Sequence, residues 1–469
     1  MDIRATERPP TMGPATARCC ALLLTAAVAA AQAATGSEEV QLPSAMAGGE
    51  TNRLATPGAP TNATELGLSV GAGETDNVFL SAAPTTSQTL AVLGLDFDLK
   101  RQSTLFAVDA KGDFRYFDYV RNAYGNQLFG RFDGLATAEL IPGVWKWVFQ
   151  DDFGQAQQNP FQPLTPLNLE YVNVFATGPD FRVRTTDTGF VEASVRYALT
   201  HYQASPFSGN RLLGRVGVGE QLSAVSSVSL NVDETRLRFN DMLNGIPVNT
   251  DYDRRELYAR FEARGARTGL AMDLGVSQTD ERGGWVSAPL AELSVTRALS
   301  PATKVTVTAG HQLTDASDSF RDLKSGASGG IVIAPVAGTT ATYVSNYASG
   351  DLRFELNRTI IAVSARWESD TYARIHSLDV NTGAVSGSVT RRLTPQLEAQ
   401  VGGSWQHEHY YNANYYQIDW PVGAALIYTP ARRVDFKFRI DHVRQNVQGP
   451  GVEYSENRAL LTAEYRPWP

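Results

Sequence analysis

The stretch Arg433-Val434-Asp435-Phe436-Lys437-Phe438-Arg439-Ile440-Asp441 sorts its residues by parity. Its even positions are all apolar and its odd positions are all charged. Successive side chains of a β-strand point to opposite faces, so one face of this segment is oily and the other ionic. A helix would ring itself with charge. The same alternation recurs along the chain. Phe106, Val108, Ala110, Phe114 and Tyr116 interleave with Ala107, Asp109, Lys111, Asp113 and Arg115. Leu257, Ala259, Phe261 and Ala263 interleave with Tyr258, Arg260, Glu262 and Arg264. Val191, Ala193, Val195, Tyr197 and Leu199 alternate with Glu192, Ser194 and Arg196, and Val305, Val307 and Ala309 with Lys304, Thr306 and Thr308.

A soluble sandwich or propeller would have to bury the charged faces in a dry interior, at several kcal/mol per unsolvated ion. A closed barrel with lipid outside and water inside satisfies both faces. The expected fold is therefore an all-β, antiparallel transmembrane β-barrel of about 20 strands, with 18 the nearest alternative. Its expected location is the outer membrane of a Gram-negative bacterium. Short turns are expected at Ile141-Pro142-Gly143, Gly178-Pro179-Asp180, Ser300-Pro301-Ala302, Thr394-Pro395-Gln396 and Thr429-Pro430-Ala431, because proline cannot donate to a ladder. Tight connections without proline fit near Ala224, Ala266 and Arg358. The other connections (72–87, 155–167, 240–251 and 314–345) are longer and rich in Gly, Asn and Asp. Short turns at one end and long loops at the other are the periplasmic and extracellular ends of such barrels.

Residues 1–33 read as a signal peptide, with Arg4, Arg8 and Arg18 before an apolar run and Ala31-Gln32-Ala33 as a cleavage site. Residues 34–62 are small, polar and Pro/Gly-punctuated, as expected of a disordered periplasmic lead. Residues 63–469 form the barrel. Both cysteines, Cys19 and Cys20, fall in the signal, which leaves a mature chain without disulfides or thiolate chemistry. Removing residues 1–33 takes three of the 41 Lys+Arg and two of the 49 Asp+Glu, leaving a formal charge of −9. That balance argues against nucleic acid as a partner. The expected partners are outer-membrane lipids, the barrel-assembly machinery and a polysaccharide. The closing alternation of Ala459, Leu461, Ala463 and Tyr465 suits an assembly signal, although Pro467 and Pro469 flank Trp468 at its end.

The lumen is expected to be lined by Asp109, Lys111, Asp113, Arg115, Tyr258, Arg260, Glu262, Arg264, Arg433, Asp435, Lys437, Arg439 and Asp441. These charges can brace the wall by mutual pairing, or form a hydrated path for a polar solute; the sequence leaves both open. Trp405, Tyr410, Tyr411, Tyr415, Tyr416 and Trp420 are expected in the upper aromatic belt, where amphipathic rings collect. His407 and His409 share a strand face, but with no third ligand nearby they read as belt rather than metal site. Ile331, Val332 and Ile333 form an apolar patch in the longest loop, which is expected to fold inward and constrict the pore.

No cofactor or enzyme activity is expected. Gly326-Ala327-Ser328-Gly329-Gly330 matches G-x-S-x-G without the strand–turn–helix that a nucleophile elbow needs. Asp315, Asp318 and Asp322 lack the spacing of an EF-hand. Asp151 and Asp152 point to opposite faces of a strand. His201 with Ser205, and His311 with Asp315, are the nearest hydrolase pairs, and each lacks a third group.

Two stretches carry a resemblance. Leu66-Gly67-Leu68-Ser69-Val70, continuing to Glu74-Thr75-Asp76-Asn77-Val78-Phe79-Leu80, resembles the opening strand of outer-membrane barrels encoded with exopolysaccharide loci and of related barrels of the PEP-CTERM sorting system. Asp151-Asp152-Phe153-Gly154-Gln155 through Asn159-Pro160-Phe161, then Tyr171-Val172-Asn173 to Thr177-Gly178-Pro179, is similar to a further segment of that group. The resemblance implies a barrel serving polysaccharide biosynthesis or export and supplies no catalytic residue. The readings that follow are an export barrel, a closed docking barrel anchoring an envelope assembly, and, least favoured, an outer-membrane hydrolase.

Overall fold

The computed structural model describes residues 62–239, 251–281, 284–316, 341–449 and 451–467, together with the short backbone pairs 242–243 and 246–247. Its strands are β1 (Ala63–Thr75), β2 (Gln88–Gln102), β3 (Phe106–Tyr119), β4 (Gln127–Ile141), β5 (Trp145–Gln157) and β6 (Leu169–Arg184). They continue as β7 (Gly189–Tyr202), β8 (Gly209–Ser223), β9 (Ser226–Phe239), β10 (Met242–Leu243), β11 (Ile246–Pro247) and β12 (Tyr252–Arg264). Then come β13 (Thr268–Glu281), β14 (Gly284–Ser300), β15 (Thr303–Thr314), β16 (Tyr343–Leu356), β17 (Thr359–Tyr372) and β18 (Val380–Arg392). The last are β19 (Leu397–Tyr410), β20 (Tyr415–Asp419), β21 (Val422–Ala431), β22 (Val434–Gln448) and β23 (Tyr454–Tyr465).

Successive staves pair antiparallel, β9 with β12 among them, and β1 pairs with β23 from Leu68↔Tyr465 to Thr75↔Arg458, closing the barrel. β10 and β11 form a separate hairpin. β20 and β21 together make one stave, interrupted at Trp420-Pro421, since both lie between β19 and β22. The result is a closed barrel of 20 staves. Among the described residues no helix is long and apolar enough to cross a membrane, which says nothing of strands.

The parity of β22 has the expected physical outcome. Phe436, Phe438 and Ile440 are 44%, 47% and 49% exposed on the outer wall, whereas Asp435 is 5% exposed on the inner one. Val70, Leu93, Val218, Leu274, Val401 and Leu461 continue the exposed apolar band around the circumference. Hydrocarbon satisfies such an exterior, and a closed ladder leaves no backbone group unpaired within it. The chain is thus a β-barrel of the Gram-negative outer membrane.

Two expected turns are displaced. Gly178-Pro179-Asp180 lies inside β6, where Gly178 and Pro179 pair with β5 but not with β7. Proline can sit there because the missing donor falls where the β7 ladder is interrupted. Glycine is required beside it, since a Cβ on Gly178 would stand 1.9 Å from the Val195 carbonyl oxygen. Thr429-Pro430-Ala431 ends β21, and the turn itself is Arg432-Arg433. The asymmetry of the two ends also has one exception: β13 and β14 are joined on the extracellular side by residues 282–283 alone.

Candidate functional site: the lumen and its extracellular closure

On the periplasmic side, the inner wall is ionic and its charges pair both along single strands and across adjacent ones. Register places Asp98 opposite Lys111, Lys100 opposite Asp109 and Asp96 opposite Asp113. Lys111 Nζ lies 3.5 Å from the Asp98 carboxylate, and Lys100 Nζ 3.8 Å from it. Arg115 reaches Asp113 at 2.6 Å and Asp96 at 3.9 Å. Arg466, just after β23, bridges Asp435 of β22 at 2.8 Å and Glu464 of its own strand at 2.7 Å, and within β22 Arg439 pairs with Asp441 at 2.8 Å. On the wall formed by β8, β9, β12 and β13, Arg215 pairs with Asp233 at 2.6 Å and Arg260 with Asp273 at 2.7 Å. The Tyr258 ring stands between those two guanidiniums, 5.8 Å and 5.4 Å from them. Glu262 lies 4.0 Å from Arg264, whose side chain is 84% exposed.

These placements put Asp109, Lys111, Asp113, Arg115, Tyr258, Arg260, Glu262, Arg264, Asp435, Lys437, Arg439 and Asp441 on the inner wall. Arg433 differs, because it is an exposed residue of the turn before β22. Its place in the alternation is a coincidence of a turn residue extending the strand's pattern. The exposed pair Glu262–Arg264 contributes little stability, roughly 0.2–1 kcal/mol, whereas Arg115–Asp113, Arg439–Asp441 and Arg466–Asp435 are largely buried. Together the pairs leave the inner wall polar and locally neutral instead of single-signed.

Nearer the extracellular end the inner wall carries buried apolar clusters among its polar groups. Leu90, Val92, Phe117, Tyr119 and Phe129 form one buried cluster with Val78 and Tyr124, and Ala156, Val172, Val174 and Tyr202 form another. On the opposite wall Tyr343 and Tyr372 pack with Ala341 and Leu378, and Val380 packs with Tyr410 and Tyr415. A large water-filled barrel has no reason to bury such side chains unless something covers them.

The far-wall clusters are covered by the connection between β5 and β6, residues 158–168, and the others in part by Val78, Tyr124 and Phe207 of neighbouring connections. Asn168 organises the 158–168 connection. Its carboxamide donates to the carbonyls of Asn159 (2.9 Å), Gln162 (3.0 Å) and Pro163 (3.2 Å) and accepts from the Asn159 N–H (2.9 Å). The Asn159 side chain in turn accepts from the Phe161 N–H at 3.0 Å. The loop so formed carries Phe161 to the far wall, where its ring meets Tyr410 and Tyr415 edge-on at centroid distances of 5.1 Å and 5.0 Å. Phe161 also packs on the Tyr343–Tyr372 cluster. β5 and β6 are separated from β19 and β20 by many staves in either direction. A single loop can touch both only by crossing the lumen.

Neighbouring loops lock this strap in place. Tyr124, in residues 120–126, packs edge-on against Phe79 and Tyr119 and donates to the Val78 carbonyl at 3.3 Å. Burial raises its hydroxyl above the usual phenol range, while a hydrogen bond with Thr165 of the crossing loop acts the other way. Glu170 at the loop's end accepts from the backbone N–H groups of Ala204 (3.0 Å) and Ser205 (2.8 Å), tying down residues 203–208. The longest connection also starts inward. Asp315 receives Arg211 at 2.6 Å and the Tyr252 hydroxyl, both from distant staves. Ile331, Val332 and Ile333, expected to be the constriction, lie outside the described residues, as do Ser328, Asp318 and Asp322. The observed crossing segment was not singled out by the sequence reading, although an aromatic residue inside the polar run Asn159-Pro160-Phe161-Gln162 was available as a signal.

The expected belt divides. Trp405, Tyr416 and Trp420 face outward, whereas Tyr410 and Tyr415 face inward and hold Phe161, and Tyr411 lies in the turn beyond β19. Parity would have shown this, because Tyr410 shares the face of Gln406 and Glu408. The hydrolase pairs are not assembled: Ser205 donates its hydroxyl to Glu170, Asp315 is engaged by Arg211, and His311 Nδ1 faces the Asn346 side chain at 2.6 Å. Among the described residues no group of three or more potential ligands could hold a metal.

No family model matches the chain, and no curated protein matches it. Among solved structures it is similar to a mutant of the ferric enterobactin receptor of Pseudomonas aeruginosa, in complex with enterobactin. That match has 10% identity, covers 86% of this chain and 81% of the receptor, and has a TM-score of 0.45. The siderophore receptor PirA of the same organism matches at 9% identity over 87% of this chain and 81% of its own, with a TM-score of 0.41. The ferric-catecholate import receptor Fiu of E. coli matches at 10% identity over 87% and 82%, with a TM-score of 0.39. At these values what the receptors bind is a property of theirs.

Proposed function

We propose that this outer-membrane barrel is a gated passage for a hydrated, polar solute, and that it serves exopolysaccharide export. The observation that carries the reading is the contact of Phe161 with Tyr410 and Tyr415 across the lumen, above a wall of paired charges. A permanently open pore would not need such a strap, and a solid plug would not need a hydrated ionic wall beneath it. Ion pairing along and between strands leaves a lumen rich in hydrogen-bonding groups and poor in net field, which suits a polymer that must slide without being held. At the neck, Tyr343, Tyr372, Tyr410 and Tyr415 are buried against Phe161 and one another, and withdrawal of the strap would uncover aromatic faces on which sugar rings can stack. The resemblance of residues 66–80 and 151–179 to barrels of exopolysaccharide loci supports the polymer's identity.

Removing the gene from a polymer-secreting host tests this. The expected result is polymer retained in the periplasm and lost from the surface. Unchanged surface polysaccharide would remove the export reading. It would favour a closed docking barrel, the alternative to which the packed aromatic closure also lends itself.

A further inference from the structure

A second feature lies on the outside of the wall, away from the lumen. Trp367, Asn381, Trp405, His407, His409 and Tyr416 line a recess of about 350 Å³ on β17–β20. That volume falls within the roughly 300–1,000 Å³ of small-molecule sites. All six residues share the outward parity of Val363, Val385, Val389 and Val401, which belong to the exposed apolar band. Register puts Trp367, Gly383, His407 and Ile418 in one row, and Ser369, Asn381, His409 and Tyr416 in the next row towards the extracellular loops. The recess therefore opens where the hydrocarbon band ends and the outer headgroups begin.

It is built more tightly than a scattered belt. A Cβ on Gly383 would stand 2.6 Å from His407 Cε1, so the glycine lets the imidazole lie against the wall. His407 lies 5.1 Å from the Trp405 ring and 6.0 Å from Tyr416, His409 lies 5.9 Å from Tyr416, and Trp405 meets Trp420 at 6.3 Å. Arg444 adds an exposed cation to the same face. Its backbone pairs both ways with Trp420, at 2.8 Å and 3.3 Å, and its Nε donates to Asn446 at 3.1 Å. Acyl chains need no donors, and an ordinary belt has no need to converge two imidazoles and a carboxamide on one hollow. A ligand that uses all of these has hydroxyls, flat apolar faces to stack on indole, and an anchor in the outer leaflet.

We propose that this recess binds the saccharide headgroup of an outer-leaflet glycolipid, with Arg444 placed to meet its phosphate. The test uses the full mature chain in detergent, with deep-rough lipopolysaccharide as the probe and phosphatidylglycerol and de-acylated core oligosaccharide as competitors. Tryptophan fluorescence and native mass spectrometry report binding. The wild type should retain one lipopolysaccharide that neither competitor displaces at equal concentration, and His407→Ala/His409→Ala should weaken that binding at least ten-fold. Displacement of the wild-type lipid by phosphatidylglycerol would reduce the recess to a belt. Displacement by the oligosaccharide would make it a free-glycan site, and undiminished binding by a folded double variant would remove it. If the double variant does not fold, the wild-type competition alone decides.

Discussion

Phe436 and Lys437 are neighbours in sequence that face different media, and the account makes opposite demands of them. Phe436 is exposed to the lipid side, and Lys437 points into the lumen. Phe436→Arg should destabilise the barrel by roughly 2–4 kcal/mol if the position lies near the midplane. Lys437→Ala should be far milder, because water already solvates that face. Reversible denaturation in lipid measures both, and equal effects would mean that the inner and outer faces are misassigned. Facing was legible from sequence because the side-chain period of a strand is two and one face here is ionic. It failed where the pattern ran past the strand, as at Arg433, and where aromatic identity was weighed above parity, as at Tyr410 and Tyr415. Tyr258 shows what parity cannot give: Arg260 shares its strand and face, but Arg215 is brought to its ring by β8, two staves away.

At the scale of the element, the crossing loop is the unit on which the functional reading turns. Its shape rests on one side chain, since Asn168 satisfies several backbone groups that would otherwise face a dry interior. Leaving a buried polar group unpaired costs about 1–3 kcal/mol. Asn168→Ala should therefore loosen the loop while leaving the ladder intact. Limited proteolysis from the extracellular side should cut within residues 158–168 in the variant and not in the wild type, with assembly unchanged. Equal resistance would show that the far-wall contacts alone hold the strap. The lengths of the loops were legible in the sequence, but their inward course was not. That course is decided by contacts such as Phe161 with Tyr410, between residues with no local relation, and the constriction expected at Ile331, Val332 and Ile333 lies outside the described residues.

For the whole molecule, the number of staves and the closed ladder followed from repeated alternation, and the structure has the expected 20. A closed ladder with an apolar exterior should fractionate with the outer membrane and migrate faster unheated than boiled. Recovery from the periplasm as a soluble protein would contradict it. The central claim is that a hydrated ionic lumen is shut at its extracellular end by one loop crossing from β5–β6 to β19–β20. Conductance in planar bilayers, comparing the wild type with a chain whose residues 159–167 are replaced by a short Gly-Ser linker, tests this most directly. The account predicts a wild type that is closed apart from rare small openings and a variant with steady current several-fold larger. Equal conductance from two correctly folded barrels, whether both open or both shut, would contradict it.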